Sequence, residues 1–360
     1  MKILKLHESL SNSGGIVSFQ EDLNQFSIKS KNSYLHFRTG RIENHIILSN
    51  QYFRILELAF SYFYFPVYLM FSRPDVIEIN SSLVEKSFFR DLIYIKLSNF
   101  FLPKAKTIGF IHGWDEDFKF KMINKNKKLL MNFFKSFDQI IVLAEKFKND
   151  VIHEIGVKNK PINVIRTGIK LEKFQPSERK SDAIHILFLS RIEVEKGIFE
   201  FLRAIPKILE KYPNLIIDIA GNGDAYLEVK NSNIAREFKN NIKFHGYILG
   251  EEKTKLFQQA SIYVFPSYTE GCPVSVLEAM AIGIPIIYTD VGALPELLED
   301  QINGLVIPIK EVEPISDSIF YLLQNEELRK MMGKKNTEKA VKEFSIEKIF
   351  NEIEDIYEQK

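Results

Sequence analysis

The sequence predicts an α/β protein of two domains. Three observations predict it. Short apolar, strand-like runs alternate with amphipathic, helix-like runs along the whole chain. The alternation is interrupted at residues 167–182, TGIKLEKFQPSERKSD, a polar stretch with a proline, and then begins again. At 360 residues, 45% hydrophobic and 26% charged, the chain can furnish two cores of ordinary size.

In chain order, KILKLHES reads as the first strand and IVSFQEDLNQF as the first helix, with SNSGG between them. Adjacent Gly14 and Gly15 in such a turn let the backbone approach a ligand, and the helix start offers unpaired N–H groups. A plain tight turn explains the pair as well, because the three-glycine dinucleotide fingerprint is absent. SYLHF and ENHIILSN are further extended segments, and a long apolar helix follows over residues 52–71. Its uncharged core, LAFSYFYFPVYLMFS, falls short of the roughly 20 residues that span a bilayer. That leaves a buried or groove-lining helix, or one lying against a membrane interface. DVIEIN is a strand, SSLVEKSFFRDLIYIKLSNF a helix, and KTIGFIH a strand that is expected to end at His112. A histidine there sits where open-sheet ligand sites lie, or is simply a loop histidine. KKLLMNFFKSF, DQIIVLA, EKFKNDVIHEIG and INVIR continue the alternation to the linker.

The second half opens with the strand AIHILFLS and the helix GIFEFLRAIPKILEKYP. Arg191 and Lys196 fall between them, where two cations and free N–H groups can neutralise a diphosphate, or bridge to Glu193 and Glu195. LIIDIAGNGD runs into Gly221 and Gly223, and IKFHGYI, EEKTKLFQQA and SIYVF lead to residues 263–307. There Glu270 precedes a turn through Gly271, Cys272 and Pro273, and Glu278 falls within the helix VSVLEAMA. Carboxylates accept hydrogen bonds from vicinal hydroxyls, so two acids in a crevice suit a sugar and a ribose; Glu278 as a plain surface acid is the alternative. Cys272 has no base beside it and reads as a small packed side chain. The end of the chain is helical, and Ile346, Ile349, Phe350 and Ile353 form an apolar face that needs a partner.

Composition narrows the function. A formal charge of +1 argues against a nucleic-acid binder, but residues 1–170 carry 25 Lys or Arg against 16 Asp or Glu, and residues 171–360 carry 23 against 31. The basic first half fits an anionic partner such as a membrane surface, or reflects Lys-rich drift. One cysteine excludes a disulfide framework and a cysteine-based zinc cluster, and fits a reducing compartment. The N-terminus turns polar too early for a signal peptide.

Arg191 with Lys196 and Gly197, Gly221 with Gly223, and above all Glu270-Gly271-Cys272-Pro273 followed by LEAMA, Gly283 and Pro285 resemble the retaining glycosyltransferases of the glycogen synthase and sucrose synthase superfamily, family 4 (GT4). The match is looser in the first half, where it rests on Gly14, Gly15 and His112. The resemblance implies the GT-B fold, two Rossmann-like domains facing across a cleft. Its domains would be residues 1–170 for the acceptor, 171–340 for the donor, and a helix at 341–360 returning to the first. It implies a nucleotide-diphosphate sugar as substrate, no cofactor and no catalytic metal. Arg191 and Lys196 would hold the diphosphate, Glu270 the donor sugar and Glu278 the ribose. His112 would lie by the transferred sugar, Gly14 and Gly15 would close over the phosphates, and Gly221, Gly223, Gly271, Cys272 and Pro273 would line the donor site. The acceptor would be a lipid-linked or polymer glycan, and the enzyme cytoplasmic and peripheral on the inner membrane face. A non-catalytic nucleotide-sugar or glycan-binding subunit and a nucleotide-sugar epimerase are the rival functions. The family's usual Asn-Gly after the last strand of the first half is Thr167-Gly168 here, and Ala293 follows Gly292 where a second glycine is common.

Overall fold

The protein was described from a computed structural model covering residues 1–7, 14–39, 51–176 and 183–359, without the side chains of 51–55. The strand expected in ENHIILSN, most of the SNSGG turn and the end of the linker lie outside the described residues. The chain forms two units, Met1–Thr167 with Ile349–Lys360, and Gly168–Lys348.

Unit 1 holds β1 (Lys2–His7), α1 (Gly15–Ser27), β2 (Ser33–Arg38), α2 (Gln51–Ser72), β3 (Val76–Leu83), α3 (Glu85–Phe101), β4 (Lys106–Trp114), α4 (Glu116–Lys135), β5 (Gln139–Val142), α5 (Glu145–Asn149) and β6 (Ile162–Val164). The strands are parallel in the order β2-β1-β3-β4-β5-β6. Strands covered by helices on both faces must be apolar throughout, as IIV in β5 is. The connection from β1 runs to one side, to β2, and that from β3 to the other, to β4, so the sheet has its switch point between β1 and β3.

Two boundaries differ from the sequence expectation. Residues 81–83 extend β3 instead of opening a helix, because their backbone pairs with β4 through Trp114. β4 for the same reason runs two residues past His112, which is therefore a strand residue and not a loop histidine. Asp115 then caps α4, its carboxylate accepting from Phe118 N at 2.9 Å.

Unit 2 holds β7 (His185–Leu189), α6 (Ile198–Lys211), β8 (Ile216–Ala220), α7 (Tyr226–Lys230), α8 (Asn233–Glu237), β9 (Ile242–Gly246), α9 (Gly250–Gln259), β10 (Ala260–Phe265), α10 (Val274–Ile282), β11 (Ile286–Thr289), α11 (Leu294–Leu297), β12 (Gly304–Ile307), α12 (Glu313–Gln324) and α13 (Glu326–Glu343). Its parallel order is β12-β11-β10-β7-β8-β9, with the switch point between β7 and β10. The start of the expected linker is already part of this unit: Ile169 N donates to Phe344 O at 2.9 Å.

The last helix, α14 (Ile346–Glu358), buries the apolar face of Ile346, Ile349, Phe350 and Ile353. Its far end is tied into unit 1. The Glu354 carboxylate accepts from Ser30 Oγ (2.6 Å) and Asn32 Nδ2 (3.1 Å), and the Tyr357 hydroxyl donates to Glu78.

Candidate functional site

In unit 2 the loops after β7 and β10 flank the switch point, where an open α/β sheet places ligands beyond the carboxyl ends of its strands. The two loops are stitched together. Tyr268 N donates to Glu195 O at 2.8 Å, and the buried Tyr263 hydroxyl on β10 donates to Leu189 O at the end of β7 (2.8 Å) and lies 2.9 Å from Ser275 Oγ on α10. Gly197, at φ +70°, lets the chain turn tightly into α6; a Cβ there would meet Pro266 O at 2.1 Å. The approach of the two loops thus requires glycine at 197.

That approach sets Lys196 against Glu270. The Lys196 ammonium donates to Glu270 Oε1 at 2.6 Å and to Thr269 O at 3.3 Å, with side chains only 9% and 10% exposed. Ser267, fully buried, donates to the same carboxylate oxygen at 2.7 Å, and its own carbonyl accepts from Thr289 on β11. A buried ion pair persists only where further hydrogen bonds satisfy it, and Ser267 and Thr269 supply them. The result is a cation and a carboxylate fixed in place at the mouth of the sheet.

Glu278 lies inside α10 and is 3% exposed, so it is not a surface acid. Lys253 on α9 donates to its Oε1 at 2.7 Å. Arg191, by contrast, is well exposed and pairs with Glu193 Oε1 at 2.9 Å. Its loop is closed against the β8–α7 turn: Ile192 N donates to Asn222 O at 3.0 Å, and Gly221, at φ +131°, lies so close that a Cβ would stand 1.8 Å from Ser190 O. Gly223 packs in the same place against Ile192 O. Gly271 O accepts from Ala293 N at 3.0 Å, Cys272 is buried, and Pro273 occupies the N-cap of α10. Lys196, Glu270, Gly271, Gly221 and Gly223 therefore belong to loops joined by direct contacts.

Gly14, Gly15 and His112 belong to unit 1. Gly14 precedes α1 at the switch point of that sheet, with open space where a Cβ would be, and Gly15 is the first residue of the helix. His112 is 5% exposed and stacks on Phe110 at 4.0 Å. His112 Nε2 lies 2.7 Å from Asn80 Oδ1 and 3.1 Å from Gln20 Nε2, and the Gln20 amide also donates to Asn80 Oδ1 at 2.7 Å. Burial, with the nearby Lys5 ammonium, pulls the His112 pKa down to about 3, so the ring is neutral at neutral pH.

Ser267 and Lys253 were not legible in the sequence. Lys253 is 25 residues from Glu278 and looks like any helix lysine, and Ser267 lacks the charge that singles out its neighbours. Among the described residues no group of three or more His, Cys, Asp or Glu side chains could hold a metal ion, and no helix is long and apolar enough to cross a membrane.

Residues 169–339 match the family model of the glycosyl transferases group 1. A glycosyltransferase of Methanocaldococcus jannaschii is 30% identical over 257 residues, 69% of this chain and 67% of the relative. The chain belongs to the group 1 glycosyltransferases. Other members it resembles are the amylovoran biosynthesis glycosyltransferase AmsK of Erwinia amylovora, 26% identical over 64% of this chain, and a UDP-Gal:α-D-GlcNAc-diphosphoundecaprenol α-1,3-galactosyltransferase of Escherichia coli, 24% identical over 71%. The chain spans 58% of the length of the Erwinia protein and 65% of the E. coli one, and 59% of a second M. jannaschii relative. Among solved structures, sucrose-phosphate synthase of Thermosynechococcus elongatus superimposes with a TM-score of 0.82 at 17% identity, covering 99% of this chain and 98% of that one. HepE of Anabaena, in complex with UDP, gives 0.78 at 16%, covering 99% of both. The fold of this group 1 member is GT-B, two Rossmann-like domains.

Proposed function

We propose that this protein transfers a sugar from a nucleotide-diphosphate sugar to an acceptor hydroxyl with retention of anomeric configuration, in the manner of family 4, during the synthesis of a cell-surface polysaccharide or glycolipid. The observation that carries this reading is the buried Lys196–Glu270 pair at the switch point of unit 2. Lys196 faces the departing diphosphate in this reading, beside the start of α6 with its unpaired N–H groups, and the exposed Arg191 swings from Glu193 to the same phosphates. Glu270, held by Ser267, accepts from the donor sugar hydroxyls, and Glu278, held by Lys253, from the ribose.

The acceptor oxygen forms its bond to the anomeric carbon as the bond to the diphosphate breaks, and the acceptor proton passes to the departing phosphate oxygen. No protein nucleophile is needed, and the fixed cation lowers the barrier by stabilising the leaving group. HepE binds UDP, and the E. coli relative is named for UDP-galactose and a diphosphoundecaprenol acceptor. These names support a uridine diphosphate sugar as donor and a lipid-linked glycan as acceptor.

Thermal shift of the purified chain against UDP, GDP, ADP and TDP sugars, with and without magnesium, tests the proposal. Binding at 100 times Kd adds about 2.7 kcal/mol to native stability. A UDP-sugar shift independent of magnesium is expected. No shift with any donor at millimolar concentration, in folded protein, overturns it.

A further inference from the structure

His112 occupies an irregular place in its strand. The pairing of β3 with β4 steps from Ser81 opposite Ile111 directly to Ser82 opposite Gly113, so His112 is the extra residue of a β-bulge, without a cross-strand partner on β3. The close approach at the bulge favours glycine at 113, where a Cβ would meet Ser82 Cβ at 2.8 Å. Bulges re-aim the side chains they carry and collect beside active sites.

The ring is gripped at one nitrogen. Asn80 and Gln20 both meet Nε2, while Nδ1 has no hydrogen-bond partner among the described residues. The Asn80 amide cannot turn over, because its Nδ2 donates to two acceptors, Leu6 O at 3.1 Å and Glu78 Oε1 at 2.9 Å. Glu78 is itself fully buried and is fixed from two further sides. Lys5 Nζ on β1 stands 3.9 Å from Oε1, and the Tyr357 hydroxyl on α14 donates to Oε2. Burial and the Glu78 charge hold that hydroxyl far above the usual tyrosine pKa, so it stays a donor. An unbroken line therefore runs within unit 1 from the last helix through β3 to β4: Tyr357, Glu78, Asn80, His112.

Stability does not account for this line. A buried ion pair such as Lys5–Glu78 is equalled or bettered by well-packed apolar side chains of the same volume. What the line does fix is the imidazole. A neutral ring has one donor and one acceptor nitrogen, so whatever holds Nε2 also decides what Nδ1 offers. We infer that Asn80, Gln20, Glu78 and Tyr357 are positioning residues that hold His112 in one orientation and one tautomer and leave Nδ1 to meet a hydroxyl of the donor sugar. The use of the ring on a sugar rests on the transferase reading; its anchoring does not.

The test reads the ring directly. Proton–nitrogen spectra of the whole chain carrying isotope-labelled histidine, with His112→Gln to assign the signal, report the tautomer at neutral pH. One tautomer is expected in the wild type, its two nitrogen shifts widely separated. In Asn80→Ala, and to a smaller extent in the near-isosteric Tyr357→Phe, the shifts should move toward the averaged pair of a free imidazole. Turnover is read as release of UDP from UDP-glucose and from UDP-galactose with water as the acceptor. Asn80→Ala should lower kcat about a hundredfold and Tyr357→Phe about tenfold, the order that a misplacement of about 1 Å costs. In a His112→Gln background neither should lower it by more than about twofold further. Losses that persist in full in that background report general damage and overturn the inference. A wild-type ring that averages between tautomers, or an Asn80→Ala ring that keeps the wild-type tautomer, overturns it as well. A wild type that releases no UDP from either sugar counts against the transferase reading, and the spectra then decide the anchoring by themselves.

Discussion

Replacing Lys196 with methionine removes a cation from a carboxylate that has few other partners. Glu270 would keep the Ser267 hydroxyl at 2.7 Å and lose the ammonium at 2.6 Å, while remaining about 10% exposed. Breaking a fully buried pair costs about 3–5 kcal/mol, and because water still reaches this one slightly, about 2–3 kcal/mol is the expected loss. For a unit of this size that is a fall in Tm of roughly 5–10 °C. Lys196→Met with Glu270→Gln leaves no uncompensated charge, so most of the stability should return, with a coupling of about 2 kcal/mol in the double-mutant cycle. Urea unfolding of the four proteins measures this. The same substitution should lower turnover by about a hundredfold or more with the acceptor KM unchanged, since the cation acts on the leaving group. A single variant as stable as wild type within about 0.5 kcal/mol would refute the buried-pair argument; a change in acceptor KM alone would refute the assignment to the diphosphate.

Gly221→Ala forces a Cβ to within 1.8 Å of Ser190 O at φ +131° and should cost about 3 kcal/mol in urea unfolding, against a negligible cost if the loop can yield. Lys253→Met releases the 3% exposed Glu278 carboxylate and should raise the donor KM about tenfold with little change in kcat; an unchanged donor KM would separate Glu278 from the nucleotide. His112 titrates near 3 in the folded protein and near 6.5 when unfolded, so its contribution is complete above pH 6.5 and is lost as pH falls toward 3. Between pH 7 and 5 the wild type should lose about 2 kcal/mol that a His112→Gln variant does not, and equal losses in urea melts at the two pH values would show that the imidazole is not held neutral.

The amino-acid sequence by itself determined the α/β alternation, the renewed start of that pattern after the linker, the positions of Lys196 and Glu270 between strand ends and helix starts, and that of Glu278 within a helix. These are local properties: apolar period, turn chemistry and charge are written over a few neighbouring residues. Only the tertiary structure decided what those residues meet. Lys196 and Glu270 are 74 residues apart and were placed on two separate loops; the switch point between β7 and β10 and the missing Cβ of Gly197 bring them to 2.6 Å. Lys253 and Ser267 acquire their partners in the same way. Strand ends misled the sequence reading at Ser81 and His112, because pairing between β3 and β4 carries both strands beyond the point where their apolar runs stop. For α2 composition sets the apolar character, but which half is buried against Phe37 and Tyr94 and which half faces outward depends on packing against the sheet, and packing is a property of distant residues.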